Sequence, residues 1–87
     1  MRAIITVIGK DTVGILAKTS NVVAELNGNV AEVSQTILQG FFTMVMLIEI
    51  DKMEADLDEL KTKLCEKLPT MDIHVMHEDI FNSMHRI

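Results

Sequence analysis

Two apolar runs, "NVAEVSQTILQ" (29–39) and "FFTMVMLIEI" (41–50), are separated by a single glycine, Gly40. Each is rich in β-branched or large apolar residues, and the link is too short for a crossover. The pair therefore predicts an antiparallel hairpin. The second run is apolar on both parities as far as Glu49, the pattern of a strand buried on two faces. Such a strand needs neighbours on both sides, and the rest of the chain must supply them. "RAIITVIG" (2–9) is β-branched and again apolar on both parities, so it predicts a second central strand.

From Val13 to Asn27 the periodicity turns helical. Leu16, Thr19, Ser20, Val23 and Leu26 share one face, and Ile15 and Val22 widen it. "NGN" (27–29) ends this helix, with Gly28 expected in the left-handed cap. Residues 53–68 predict a second helix, with Met53, Leu57, Leu60, Leu64 and Leu68 on one face and Pro69 as its stop. "MDIHVMHE" (71–78) reads as a last strand, and its Asp72 and His74 suit an edge. The order strand, helix, strand, strand, helix, strand, with right-handed crossovers, gives an α+β, ferredoxin-like fold. Its four-stranded antiparallel sheet has order 4-1-3-2, with both helices on one face. The domain is expected to span 1–78. Residues 79–87 are expected to form a short amphipathic helical tail, packed through Ile80, Phe81, Met84 and Ile87 on the domain or on a partner. The sheet face away from the helices still needs a cover. That need, with the wide stripe through Ile15 and Val22, points to a homodimer, formed by strand two pairing with its twin or by stacked open faces.

The length of 87 residues allows one domain. A chain this short buries roughly 60–65% of its unfolded surface. Hydrophobic residues make up 48% and aromatics 3%, so the core must be aliphatic, with seven methionines as flexible fillers. The net charge of −5 and the lack of a basic stretch exclude nucleic acid and anionic membrane as principal partners. An RNA-recognition domain shares the element order but needs aromatics on strands one and three; strand one has none, and Phe41 and Phe42 read as core. "AIITVIG" is too short to span a membrane and no cleavage-site pattern follows it, so a cytoplasmic protein is expected. Cys65 stands alone and is expected to be a passive, partly buried thiol. His74 and His77, three apart on a strand, point to opposite faces, and His85 lies in the tail. No metal site and no cofactor are expected. Glu32 and Glu49 could face each other across the hairpin, but they read as a solvated face rather than an acid–base pair. With no nucleophile–base pairing in view, the chain is expected not to be an enzyme.

"GKDTVGILAKTS" (9–20) closes the first strand and opens the first helix. Its pattern G-x-D-x-x-G-I-L, followed by "ELNGNVAEVSQT" (25–36), resembles the ACT domain, and the resemblance covers residues 2–78. "VSQTILQGFFTMVMLIEI" (33–50) resembles the stand-alone, single-domain ACT proteins of bacteria and archaea and, more distantly, the glycine-cleavage regulator. The resemblance implies a small βαββαβ regulatory module of a kind that commonly binds amino acids. It implies ligand contacts at the first loop and the start of strand two. Asp11 would turn its side chain to the ligand, Gly14 would allow close approach, Ile15 would follow at the helix start, and Asn29 would contact the ligand. Some amino-acid-binding members carry a histidine where this chain has Gly9, so one polar contact is missing here.

The residues themselves support such a site. Free backbone N–H groups at 13–15 would attract a carboxylate, and Asp11 would balance an ammonium group. The simpler roles are that Asp11 or Thr12 caps the helix, Gly14 eases the turn and Asn29 is a turn residue. The implied function is a non-enzymatic, dimeric regulator binding a small amino acid at the subunit interface. The alternative is a protein-interaction adaptor with a degenerate site, acting on a partner enzyme or regulator. Topology adds a constraint. Strands one and two run parallel, so Asp11 and Asn29 lie at opposite ends of the sheet, about 22 Å apart along a helix of roughly fifteen residues. One chain cannot join them with an amino acid; antiparallel pairing of strand two with its twin would.

Overall fold

The hairpin forms as its tight link requires. In the computed structural model, which describes residues 1–10 and 13–84, β2 (Asn29–Leu38) and β3 (Phe41–Glu49) are joined by Gln39 and Gly40 alone. Both linking residues are left-handed, at φ 53° and 82°, the type I′ geometry whose twist matches that of the strands. β1 (Arg2–Lys10) pairs with the other side of β3, and β4 (Asp72–His77) pairs with β1. The sheet order β2-β3-β1-β4, antiparallel throughout, is the expected 4-1-3-2 read from the opposite edge. β1 and β3 are central, and β4 is an edge.

The helices α1 (Ile15–Glu25) and α2 (Leu57–Lys67) lie against one face of this sheet. Register assigns Ala3, Ile5 and Val7 of β1 to that face, with Phe42, Met44, Met46 and Ile48 of β3 and Ile73 of β4. They form one buried cluster with Ile15, Val22 and Val23 of α1 and Leu60 and Leu64 of α2. Each of these side chains larger than alanine contributes about 1.5–3 kcal/mol on burial. In β2 a bulge between Val30 and Glu32 makes Ala31 an extra residue, so Val30 and Val33 both keep to the helix side. Thr19, the buried polar residue of α1, donates its hydroxyl to the Ile15 carbonyl at 2.8 Å.

Several expectations need correction. Asn27, not Gly28, takes the left-handed position after α1, at φ 65°. Gly28 N–H donates to the Val23 carbonyl at 2.8 Å and Asn27 N–H to that of Ala24 at 3.1 Å, which is the Schellman closure. Gly28 is required for another reason: a Cβ there would sit 2.8 Å from Val23 Cγ1. α2 begins at Leu57 rather than Met53, because Asp56 accepts the Glu59 N–H at 2.8 Å and caps it. Met53 still packs on the core, but from the preceding loop. Ile15 and Val22 are buried by their own chain and leave no stripe for a partner. Cys65 is exposed.

On the face away from α1 and α2, β1 presents Ile4, Thr6 and Ile8, and β3 presents Phe41, Thr43, Val45 and Leu47. α3 (Glu78–Met84) follows β4 directly and contacts β1 and β4. Its Phe81 is half-buried while Ile80 and Met84 are exposed. Ile87 and His85 lie outside the described residues.

Candidate functional site

Residues 9–20 divide at the edge of what is described, since Asp11 and Thr12 lie outside the described residues. Gly14, at φ 85° and ψ 13°, stands immediately before α1. The nearest neighbour to a Cβ at Gly14 would be Lys18 Cε at 4.0 Å, so glycine is required by conformation and not by space. The first helical bond runs from Lys18 N–H to the Gly14 carbonyl at 2.9 Å. The N–H groups of Ile15, Leu16 and Ala17 therefore have no partner within the helix. No acidic side chain stands in this first turn. Ile15 turns its side chain into the core and anchors this end of the helix against the sheet.

A cleft of about 400 Å³ opens at that end, lined by Gly14, Ile15, Leu16, Ala17, Gln35, Ile37 and Phe42. Gln35 and Ile37 reach it because the helix-side parity of β2, set by the bulge, runs Val33, Gln35, Ile37. Phe42 is the cross-strand partner of both Ile37 and Gly9. The arrangement sets backbone N–H donors at a helix start beside one side-chain amide and apolar walls. It suits a carboxylate carried on a small body. The sequence reading missed Gln35, Ile37 and Phe42. A readable signal was present in Gln35, the polar residue on an otherwise apolar inward parity.

Asn29 is elsewhere. It pairs in register with Glu49, and its Nδ2 donates to Glu49 Oε1 at 2.7 Å. The Phe41 end of β3, beside the cleft, and the Glu49 end are eight strand steps apart, about 27 Å. The fold brings Gly14 and Ile15 together and keeps Asn29 of the same chain away. At Gly9 a Cβ would lie 2.7 Å from Met71 Sδ, so a thioether fills the space a larger side chain would take. A side chain at that position would have to displace the flexible end of Met71.

The other charged feature is Arg2, at the Asn29 end. Its Nε and Nη2 donate to the two carboxylate oxygens of Glu78 at 2.5 and 2.7 Å. Glu78 raises the guanidinium pKa, by these hydrogen bonds and then by its charge, and Glu32 and Glu49 add to the rise. Among the described residues no group of three or more His, Cys, Asp or Glu could hold a metal ion. No helix of the described residues is long and apolar enough to cross a membrane.

The family model for the ACT domain matches residues 2–78. A UPF0237 protein of Listeria innocua is 51% identical, with the whole of both chains aligned. The solved structure of an ACT domain protein from Streptococcus pneumoniae is 37% identical, with a TM-score of 0.76 over 93% of each chain. The ligand-free regulatory subunit of aspartate kinase from Thermus thermophilus has a TM-score of 0.65 at 23% identity, over 85% of this chain and 49% of that one. That last likeness is one of fold.

Proposed function

The chain belongs to the ACT-domain family, and from that premise we propose that it is a non-enzymatic regulatory module of the cytoplasm. It acts as a homodimer and binds a small α-amino acid through Asp11, Gly14, Ile15 and, from the partner chain, Asn29. The observation that carries this reading is the cleft at the start of α1, lined by the first three residues of the helix together with Gln35 and apolar side chains. β2 supports the dimer: it is a ten-residue edge strand, exposed along most of its length, with Val33 and Ile37 uncovered. Antiparallel pairing of β2 with its twin sets Asn29 of one chain level with the first loop of the other. To reach a ligand there, Asn29 must exchange its bond to Glu49.

A thermal-shift screen against the twenty amino acids and common purines tests the sensor. A ligand at a hundred times its Kd adds ~2.7 kcal/mol, and each kcal/mol moves the midpoint of a domain this size by ~4–8 °C. Silence across the panel would favour the adaptor reading. One observation already speaks for that second reading: Ile8, Val13, Ile37, Leu38 and Phe41 are all exposed at one end of the sheet. Light scattering that finds only monomer at micromolar concentration would remove the shared site in either case. With a ligand in hand, Asp11→Ala and Asn29→Ala homodimers should each bind weakly. A mixed dimer of the two should regain one near-normal site, and mixed dimers no better than their parents would end the shared-site model.

A further inference from the structure

Ile4 and Ile8 stand on the same face of β1, away from α1 and α2, yet Ile4 is 5% exposed and Ile8 42%. The difference arises at the Arg2 end, where α3 meets β1 and β4. α3 has seven residues, and none is buried. A helix so short has no stability of its own, so its seat on the sheet is what holds it. That seat consists of the half-buried Phe81 and of Glu78, the first residue of the helix, gripped by both Nε and Nη2 of Arg2. Beside it a cleft of about 750 Å³, lined by Met1, Arg2, His77, Glu78, Asp79 and Ile80, leaves one flank of α3 unpacked.

Arg2 has other carboxylates within its neighbourhood. Glu49 is its direct cross-strand partner on β3, and Glu32 stands opposite Leu47 in the next row of the same face. Asn29 donates to one oxygen of Glu49, at 2.7 Å. In the structure Glu78 has the bidentate bond, and the remaining two act on Arg2 through their charge.

We propose that α3 is a detachable strap over the Arg2 end of the open sheet face, with Arg2 as its clasp. When the strap lifts, the guanidinium passes from Glu78 to Glu49 and Glu32. The row Leu47, Ile4 and Met76, contiguous by register, then comes into the open on the same face as Ile8 and Phe41. Because Arg2 is paired in both states, the two differ little in electrostatic energy, which is the condition for a switch that a modest stimulus can throw. The strap lies at the opposite end of the sheet from the cleft of its own chain.

Amide hydrogen exchange on the full chain tests this, because neutralising carboxylates around one arginine should act in opposite directions. Glu78→Gln removes the clasp and should raise exchange at the α3 amides about three- to fivefold. Glu32→Gln and Glu49→Gln remove its competitors and should each slow the same amides by about twofold. Glu32→Gln leaves the Asn29 bond to Glu49 untouched and so controls for any effect through that bond. Unchanged exchange in α1 and α2 certifies that each variant is folded. Unaltered α3 exchange in Glu78→Gln, or the absence of slowing in the other two, overturns the proposal.

Discussion

α1 and α2 each have eleven residues and each pack one face on the same sheet, yet they begin in opposite ways. α2 closes its own start: Asp56 caps it, and Asp58 and Glu59 put negative charge in the first turn, where the helix dipole favours it. α1 starts from a left-handed glycine that has no side chain to cap with, and its first turn is Ile15, Leu16 and Ala17. Both solutions are open to a helix of this length on this fold. One helix start is capped by Asp56, and the other has no side-chain cap among the described residues and borders a cleft.

The comparison can be broken first at Gly14. An alanine there must adopt φ 85°, which costs about 1–2 kcal/mol, or it must rebuild the start of α1. Denaturant unfolding of Gly14→Ala should show that loss, whereas Gly14→Asn, more tolerant of the left-handed region, should lose less. Equal stability of wild type and Gly14→Ala would mean that the loop does not need the glycine conformation. At the other helix Asp56→Ala should lose about 1 kcal/mol, the ordinary value of an N-cap, with no effect on any ligand response. A change in ligand response would contradict the separation of the two ends.

The sequence carried the sheet further than it carried the helix ends. Strand order followed from two two-sided apolar runs and a link of minimal length, features that few other folds accommodate. The start of α2 was obscured by Met53, whose spacing to Leu57 and Leu60 continues the helical stripe although it packs from a loop. The better signal was Asp56 followed three residues later by Glu59, a cap pattern that depends on local hydrogen bonding and not on periodicity. Gly28 misled for a related reason: in "NGN" either the asparagine or the glycine can turn left-handed. The close approach of Val23 to Gly28, a tertiary fact, reserves glycine there and passes the turn to Asn27. Of the candidate site, Gly14 and Ile15 were legible because they belong to one turn. Gln35, Ile37 and Phe42 were not, since they join the cleft only through the β2 bulge and the pairing with β3.

The smallest effect sharpens the comparison most, because its two parts have opposite signs. Ala17 is exposed and occupies the third position of α1, equivalent to Glu59 in α2. Ala17→Glu gives α1 the charge that α2 already has. Its carboxylate lies near the N–H groups that have no partner within the helix and should stabilise the fold by about 0.3–1 kcal/mol at low ionic strength. The gain should fade with added salt, as the side chain is open to solvent. Ala17→Gln, with similar helix propensity and no charge, should show none of the electrostatic part. The same carboxylate would compete for the donors that the proposed site offers an amino acid, so any ligand-induced thermal shift should shrink in Ala17→Glu and persist in Ala17→Gln. A stabilised Ala17→Glu that keeps a full ligand shift would place the ligand's carboxylate away from the start of α1. An Ala17→Glu no more stable than Ala17→Gln would show instead that the N–H groups already have partners, and the contrast between the two helices would then be one of sequence alone.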